Sequence, residues 1–266
     1  MSDDPIRYWH ALTTSEIETM ADLDPVVVLP VAAIEQHGPH LPLSTDLDIG
    51  LGILGDAFGR LPADFPAWVL PPITVGASLE HERFPGTVTV DPELLTGLVD
   101  AHAAAIARIG ARRLVLSNSH GGNRHVLETA ALRIRATHGL LVVKSHYFLF
   151  PPPPDTLPDD EVRHGLHGGT VETAMMLYLR PDAVRQSETT RSPSLGEELE
   201  ASLRQVGPAR DAASFAWLAD DLNPTGVTGN AGLADPQLGQ RLVEHYGELL
   251  SEVIRDAKDF PLERLN

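Results

Sequence analysis

The strongest constraint on what this chain can fold into is an alternation. Val26 to Ile34, Trp68 to Val75, Leu114 to Asn118 and Leu140 to Tyr147 are short, apolar and rich in β-branched residues. Longer segments with helical periodicity lie between them. Continuous apolar runs of this length read as central strands buried on both faces. Strand alternating with helix predicts a three-layer α/β/α arrangement around a mostly parallel sheet. Asp91-Pro92-Glu93 opens one helix, with proline at the first helical position. Leu95, Leu98, Val99, His102, Ile106 and Ile109 then share a face. Val126, Leu127, Ala130 and Ile134 mark another helix, with Asn123 as its expected N-cap and Gly139 as its left-handed end. Further helices are expected over Val171 to Leu179 and Ser192 to Val206. An amphipathic C-terminal helix carries Leu238, Leu242, Val243, Tyr246, Leu249, Leu250, Val253 and Ile254. Pro151 to Pro158 is too rich in proline for regular structure and reads equally well as a lid, an oligomer contact or a surface connection. Asp220 to Asp235 reads as a long loop. No second candidate core is present, so all 266 residues are expected to form one domain.

Composition narrows the function. There is no cysteine, hence no disulfide, thiolate nucleophile or cysteine-bound metal. A net charge of −17 would repel phosphate backbones, which argues against nucleic-acid binding. No apolar run reaches the roughly 18 residues of a membrane span. Met1-Ser2-Asp3-Asp4-Pro5 is acidic and lacks the apolar stretch of a signal peptide. A cytoplasmic protein is expected.

The chemistry concentrates where strands end. The first run leads into Glu35-Gln36-His37-Gly38-Pro39-His40-Leu41-Pro42-Leu43-Ser44-Thr45-Asp46. Glutamate, histidine and aspartate are ligands for a hard or borderline divalent cation. Gly38, Pro39 and Pro42 stiffen the intervening loop. A second segment, Ser117-Asn118-Ser119-His120-Gly121-Gly122-Asn123, places His120 at a strand-to-helix crossing. The Gly121 and Gly122 amides could approach an oxyanion, or the glycines could only permit a tight turn. A third, His167-Gly168-Gly169-Thr170-Val171-Glu172-Thr173, puts Glu172 in or near the first turn of a helix. No G-x-S-x-G elbow, G-x-G-x-x-G or P-loop is present, which disfavours covalent catalysis by serine and nucleotide binding.

Together these segments resemble the creatininase (creatinine amidohydrolase) family. Its pattern runs E-x-H-G-x-H-L-P-x-x-T-D, N-G-H-G-G-N and H-[AG]-G-x-x-E-T. Here it stands at Glu35 to Asp46, Asn118 to Asn123 and His167 to Thr173. Gly76-Ala77-Ser78-Leu79-Glu80-His81, followed by Phe84-Pro85-Gly86-Thr87, also fits. The match keeps family order over residues 25 to 185.

The resemblance implies a metal-dependent amidohydrolase. It would cleave a non-peptide C–N bond, in an amide, cyclic amide or formamide, with a metal-bound hydroxide at a dinuclear site. Implied alternatives are creatinine hydrolysis proper, a peptidase of cofactor maturation, or a non-catalytic metal-binding protein of the same fold. Two divalent ions are implied, zinc with manganese or iron possible. Asp46 would bridge them, with Glu35 and His120 on one and His37 and Glu172 on the other. His167 would transfer a proton to the leaving nitrogen, and Ser78 and His81 would line the pocket. His40 reads as loop packing. A homo-oligomer, a hexamer by family habit, is implied.

Three positions depart from creatininases proper. Where those have a tyrosine after the second-segment histidine, this chain has Gly121. Where they have a tryptophan four residues before the third-segment histidine, it has Arg163. Aromatic stacking on a small planar ring is thereby lost. An arginine near the pocket suggests an anionic substrate. Gly122 stands where creatininases proper carry a glutamate ligand, which makes Glu172 the natural substitute.

Overall fold

The computed structural model describes residues 4–209 and 212–265. Met1, Ser2 and Asp3 of the acidic N-terminus lie outside the described residues.

β1 (Val26–Val31) is buried along its whole length, which is why its sequence is a continuous apolar run. It pairs in parallel with β2 (Ala67–Val69) on one side and β3 (Arg113–Asn118) on the other. β3 pairs in parallel with β4 (Leu141–His146), so the sheet order is β2-β1-β3-β4. Every pairing in this sheet is parallel. Pro30 has no N–H to donate, and it is tolerated because β2 has already ended at Val69, opposite Val28.

The expected strand over Trp68 to Val75 is cut short by Pro71 and Pro72. Ile73 rejoins only as a single bridge to Val31. The expected run to Ile34 likewise leaves the sheet at Val31, and Ile34 makes only an isolated antiparallel bridge to Val88 before the loop that carries Glu35.

The helices are α1 (Thr14–Ala21), α2 (Thr45–Arg60), α3 (Pro92–Arg108), α4 (Arg124–His138), α5 (Asp159–His164), α6 (Thr170–Leu179), α7 (Leu195–Glu200), α8 (Ala219–Leu222) and α9 (Pro236–Asp259). Successive residues of β1 point to opposite faces. Val27, Leu29 and Val31 pack with Leu95, Val99 and Ile106 of α3 and with Leu127 and Ile134 of α4. Val26 and Val28 pack with Ile49 and Ile53 of α2, Met175 and Met176 of α6, and Leu242 and Tyr246 of α9. These are the three layers the sequence predicts. Among the described residues, no helix is long and apolar enough to cross a membrane.

Some local expectations change. The helix expected over Ser192 to Val206 is only α7, started by a capping box between Ser194 and Glu197. Ser202 and Leu203 both donate to the Leu199 carbonyl and close it off. Arg191–Ser192 forms β5, antiparallel to β6 (Gly229–Asn230). The region expected as one long loop, Asp220 to Asp235, therefore contains β6 and most of α8. Asn123 does not cap α4. Its side chain accepts from the Ala77 amide and donates to the Ala32 carbonyl and to Asn118, so it ties loop ends together. Gly139 is left-handed, with φ 71°, as its place after α4 requires.

α6 and α9 approach so closely that a Cβ on Gly239 would run into the Ala174 carbonyl. Gly239→Ala is therefore expected to destabilise the protein by about 1–3 kcal/mol, the usual cost of overpacking. Gly55→Ala, on α2 with nothing within 4 Å of the added atom, is expected to be neutral or to stabilise by up to about 1 kcal/mol. Thermal or urea unfolding checks the pair. Equal effects at the two glycines would contradict the packing account.

Candidate metal centre

β1 and β3 are neighbours, yet the chain first runs outward from β1 to β2 before returning to the other side of β1. The loops leaving the two strands therefore diverge, and a cleft opens at their carboxyl ends. β1 delivers Glu35 and His37 there, and β3 delivers His120. Asp46 and Glu172 come from the first turns of α2 and α6, where the helix dipole favours negative charge.

The five side chains converge. Asp46 presents one oxygen to each of two histidines: Oδ1 is 3.3 Å from His37 Nε2 and Oδ2 is 3.2 Å from His120 Nδ1. Glu35 Oε1 is 3.2 Å from His120 Nδ1 and 4.0 Å from His37 Nε2. Glu172 Oε1 is 3.9 Å from His37 Nε2, while its Oε2 accepts from the Gly168 amide at 2.6 Å. Glu35, His37, Asp46 and His120 are at most 3% exposed.

The histidines are oriented by backbone carbonyls. His37 Nδ1 donates to Glu35 O (3.1 Å), His120 Nε2 to Ala77 O (3.0 Å) and His167 Nε2 to Gln36 O (2.6 Å). In each ring the other nitrogen then faces the carboxylates, the arrangement that presents a lone pair to a metal. Glu35 Oε2, His37 Nε2 and Asp46 Oδ2 are buried without a hydrogen-bond partner. Buried polar atoms are ordinarily satisfied, so this donor set fits a bound cation. Glu35, His37 and His167 offer one group of ligand atoms within 4.8 Å of each other; His37, Asp46 and Glu172 offer another.

Without ions the charges must balance each other. Burial alone would lower His37, but Asp46, then Glu172 and Glu35, outweigh it and push it up to about 9. Burial also opposes protonation of His120, yet Glu35 and Asp46 hold it well above the usual histidine value. Glu35 is held well below the carboxylate range, because His120, His81 and His167 overcome its burial. Asp46 is lowered as well: burial and Glu35 push it up, and His37 and His120 outweigh them. His167 is lowered, first by burial and then by His37.

The remaining predicted residues fall in different places. His81 Nδ1 accepts from the Gln36 side-chain amide (2.8 Å), so its Nε2–H faces Glu35 Oε1 at 3.5 Å. Burial and then His167 lower it to about 2. It supports Glu35 as a neutral donor, and its ring lies 4.1 Å from that of His167. Ser78 Oγ lies 3.2 Å from His120 Nε2 and is fully buried. Gly121 is exposed, and a side chain there would meet nothing within 4 Å. Gly122 lies against His120, Ala77 and Glu80. His40 binds Thr173 Oγ1 (2.9 Å) and Gly168 O (3.1 Å), joining the first segment to the third.

Arg163 is not brought to the centre. It sits on α5, 54% exposed, paired with Asp160 (2.6 Å) and Glu200 (3.9 Å). Its charge is used on surface carboxylates, so its position lends no support to the expectation of an anionic substrate. Two residues are at the site without having been singled out: Gln36, which links His81 to the Gly226 carbonyl, and Glu80, beside His120. Both stand inside the recognised segments, but neither has a spacing that distinguishes a ligand from a loop residue.

A parallel sheet with a buried histidine–carboxylate cluster at its switch point offers the ligand atoms of a candidate metal centre. The family model for creatininase, described as creatinine amidohydrolase, matches residues 10–254. The chain belongs to this family of amidohydrolases. It is 36% identical over 242 residues to the mycofactocin precursor peptide peptidase of Mycolicibacterium smegmatis, covering 89% of this chain and 87% of that one. It is 29% identical over 267 residues to the creatinine amidohydrolase of Pseudomonas putida, covering 94% and 96%. A solved creatininase described with Mn superposes with a TM-score of 0.77 at 27% identity, over 96% of this chain and 99% of that one.

The charge balance sets a pH dependence for the metal-free protein. His37 and His120 have raised values, so their contribution is complete below about 6.5 and is lost as pH rises through the folded value, about 9 for His37. Glu35 and Asp46 have lowered values, so theirs is present above about 4 and lost on acidification. The melting temperature of the metal-free protein is expected to fall between pH 6.5 and 9. Bound ions replace the histidine protons and should abolish that fall. Melting curves with and without chelator check this; a metal-free profile that rises towards pH 9 would contradict it.

Proposed function

We propose that this chain hydrolyses a C–N amide bond at a two-ion centre. The observation that carries the reading is the set of buried, unpartnered ligand atoms on Glu35, His37 and Asp46. Glu35, His120 and one oxygen of Asp46 would hold one ion; His37, Glu172 and the other oxygen of Asp46 would hold the second. The split of the Asp46 oxygens between His37 and His120 supports its bridging role. Zinc, manganese and iron all suit imidazole and carboxylate donors. When bound, such ions polarise the scissile carbonyl and let water attack near neutral pH.

The protein's own part is orientation and proton handling. The Gln36 carbonyl holds His167 Nε2–H, leaving Nδ1 on the cluster side, 3.7 Å from Glu35 Oε1. Burial and His37 keep the ring neutral, so Nδ1 can take the proton that the attacking water gives up and deliver it to the leaving nitrogen. His167 also lies within ligand reach of Glu35 and His37, which favours a second role as ligand. Metal content distinguishes the two.

The relatives of higher identity favour a peptide, the alternative above, over the non-peptide C–N bond expected first. The relatives above 30% identity are described as mycofactocin precursor peptide peptidases. Gly121 offers no aromatic ring to stack on a small planar substrate. A homo-oligomer, a hexamer by family likeness, working in the cytoplasm completes the reading; native mass measurement tests the assembly.

Protein loaded with zinc, manganese or iron is expected to hydrolyse a precursor-type peptide, and chelation should abolish the activity. His167→Gln should lower kcat by about 10²–10⁴-fold while keeping two ions per chain. Loss of an ion in that variant would assign His167 to the ligands. Full metal loading with no turnover of peptides, formamides or cyclic amides would overturn the proposal.

A further inference from the structure

Glu80 stands in a single 3-10 turn, Leu79–His81, between Ser78 and His81. Its Oε1 lies 3.5 Å from His120 Nε2, the nitrogen that bonds the Ala77 carbonyl and not the Nδ1 that faces Glu35 and Asp46. Glu35, Glu80 and His120 each offer a ligand atom, all within 4.8 Å of one another. The side chain of Glu80 is 21% exposed and that of Glu35 1%, so Glu80 lies on the outer side of the cluster.

Gly122 explains how Glu80 gets there. A Cβ at Gly122 would collide with Glu80 Oε1 and with the Ala77 carbonyl, and would lie 2.5 Å from His120 Nε2. The carboxylate of Glu80 therefore occupies the space that a side chain at position 122 would fill.

Glu80 is not needed to orient His120. That ring already has the Ala77 carbonyl at 3.0 Å and Ser78 Oγ at 3.2 Å. Nor is Glu80 comfortable as a free anion, since it sits beside the buried carboxylate of Glu35. Close carboxylates repel unless a cation lies between them.

We propose that Glu80 is a further ligand of the centre, on the His120 side, and that Gly122 is glycine to leave room for it. The inference rests on the two-ion reading above.

The test uses the full chain and two probes, Zn2+ and Co2+. Affinities are measured by competition with a chromogenic chelator, and the coordination sphere is read from the visible bands of the cobalt-loaded protein. Glu80→Gln keeps the shape and removes the charge; melting of the metal-free variant checks its folding. Glu80→Asp serves with the same readouts should the glutamine variant not fold. Glu82→Gln, on an exposed neighbour, is the control. Glu80→Gln is expected to weaken one of the two sites by about tenfold or more and to shift the cobalt bands, with the control unchanged. Unchanged affinity and spectrum would overturn the inference. A fall in affinity with unchanged bands would also overturn it, because that marks a distant charge and not a ligand. Wild-type protein that binds no ion would instead overturn the two-ion reading itself.

Discussion

Glu35 and Asp46 are carboxylates buried side by side, and much of the rest of the structure answers to that fact. Burial and mutual repulsion would raise both acids and drive one towards protonation. Imidazoles prevent it. Glu35 Oε1 is approached by His120, His81, His167 and His37 at 3.2 to 4.0 Å, and Asp46 is shared between His37 and His120. Without ions, protons on His37 and His120 supply the positive charge. A pair of cations could replace those protons with little change of structure, because the ring orientations are already set by backbone carbonyls.

The fold makes this burial possible by placing loop ends where their polar groups have partners. β1 and β3 are neighbours whose onward connections part, so the carboxyl end of the sheet opens there. The space is filled by side chains that each satisfy several groups. Asn118 bonds both backbone groups of His120 and also His146. Asn123 secures Ala77 and Ala32, and Gln36 secures His81, Gly38 and Gly226. A buried polar network rigidifies when its members are satisfied. Here the network leaves ligand atoms of Glu35, His37 and Asp46 unpartnered, as it also leaves His146 Nε2, and a cation at the cluster would complete the first three.

Legibility in the sequence followed the range of the interactions. β1 was readable because its apolar run is continuous, and α9 because its stripe repeats through several turns. α2 is absent from the sequence reading: Gly50, Gly52, Gly55 and Gly59 dilute its pattern, and its start, Asp46, reads as the end of a loop. Ser192 to Val206 has helical composition, but Ser202 and Leu203 close α7 early on one carbonyl. At the site, the five proposed ligands stand at strand and helix ends, where residue type and position coincide. His81 reads as pocket lining, yet its donor nitrogen is aimed at Glu35 by a contact with Gln36, 45 residues away. Arg163 shows the opposite failure. Its spacing from His167 suggested the pocket, but α5 turns it towards Asp160 and Glu200.

By itself the sequence determined the layer order, the parallel sheet, the family and the side chains able to bind a cation, because those depend on local periodicity and on residue type at element ends. Tertiary structure decided which nitrogen of each histidine faces the carboxylates, how Asp46 divides its oxygens, and that Glu80 rests over Gly122 while Arg163 stays at the surface. Those outcomes depend on where distant segments cross. A residue's chemistry is carried in its own code, but the direction of its donor atoms is set by neighbours that only folding supplies.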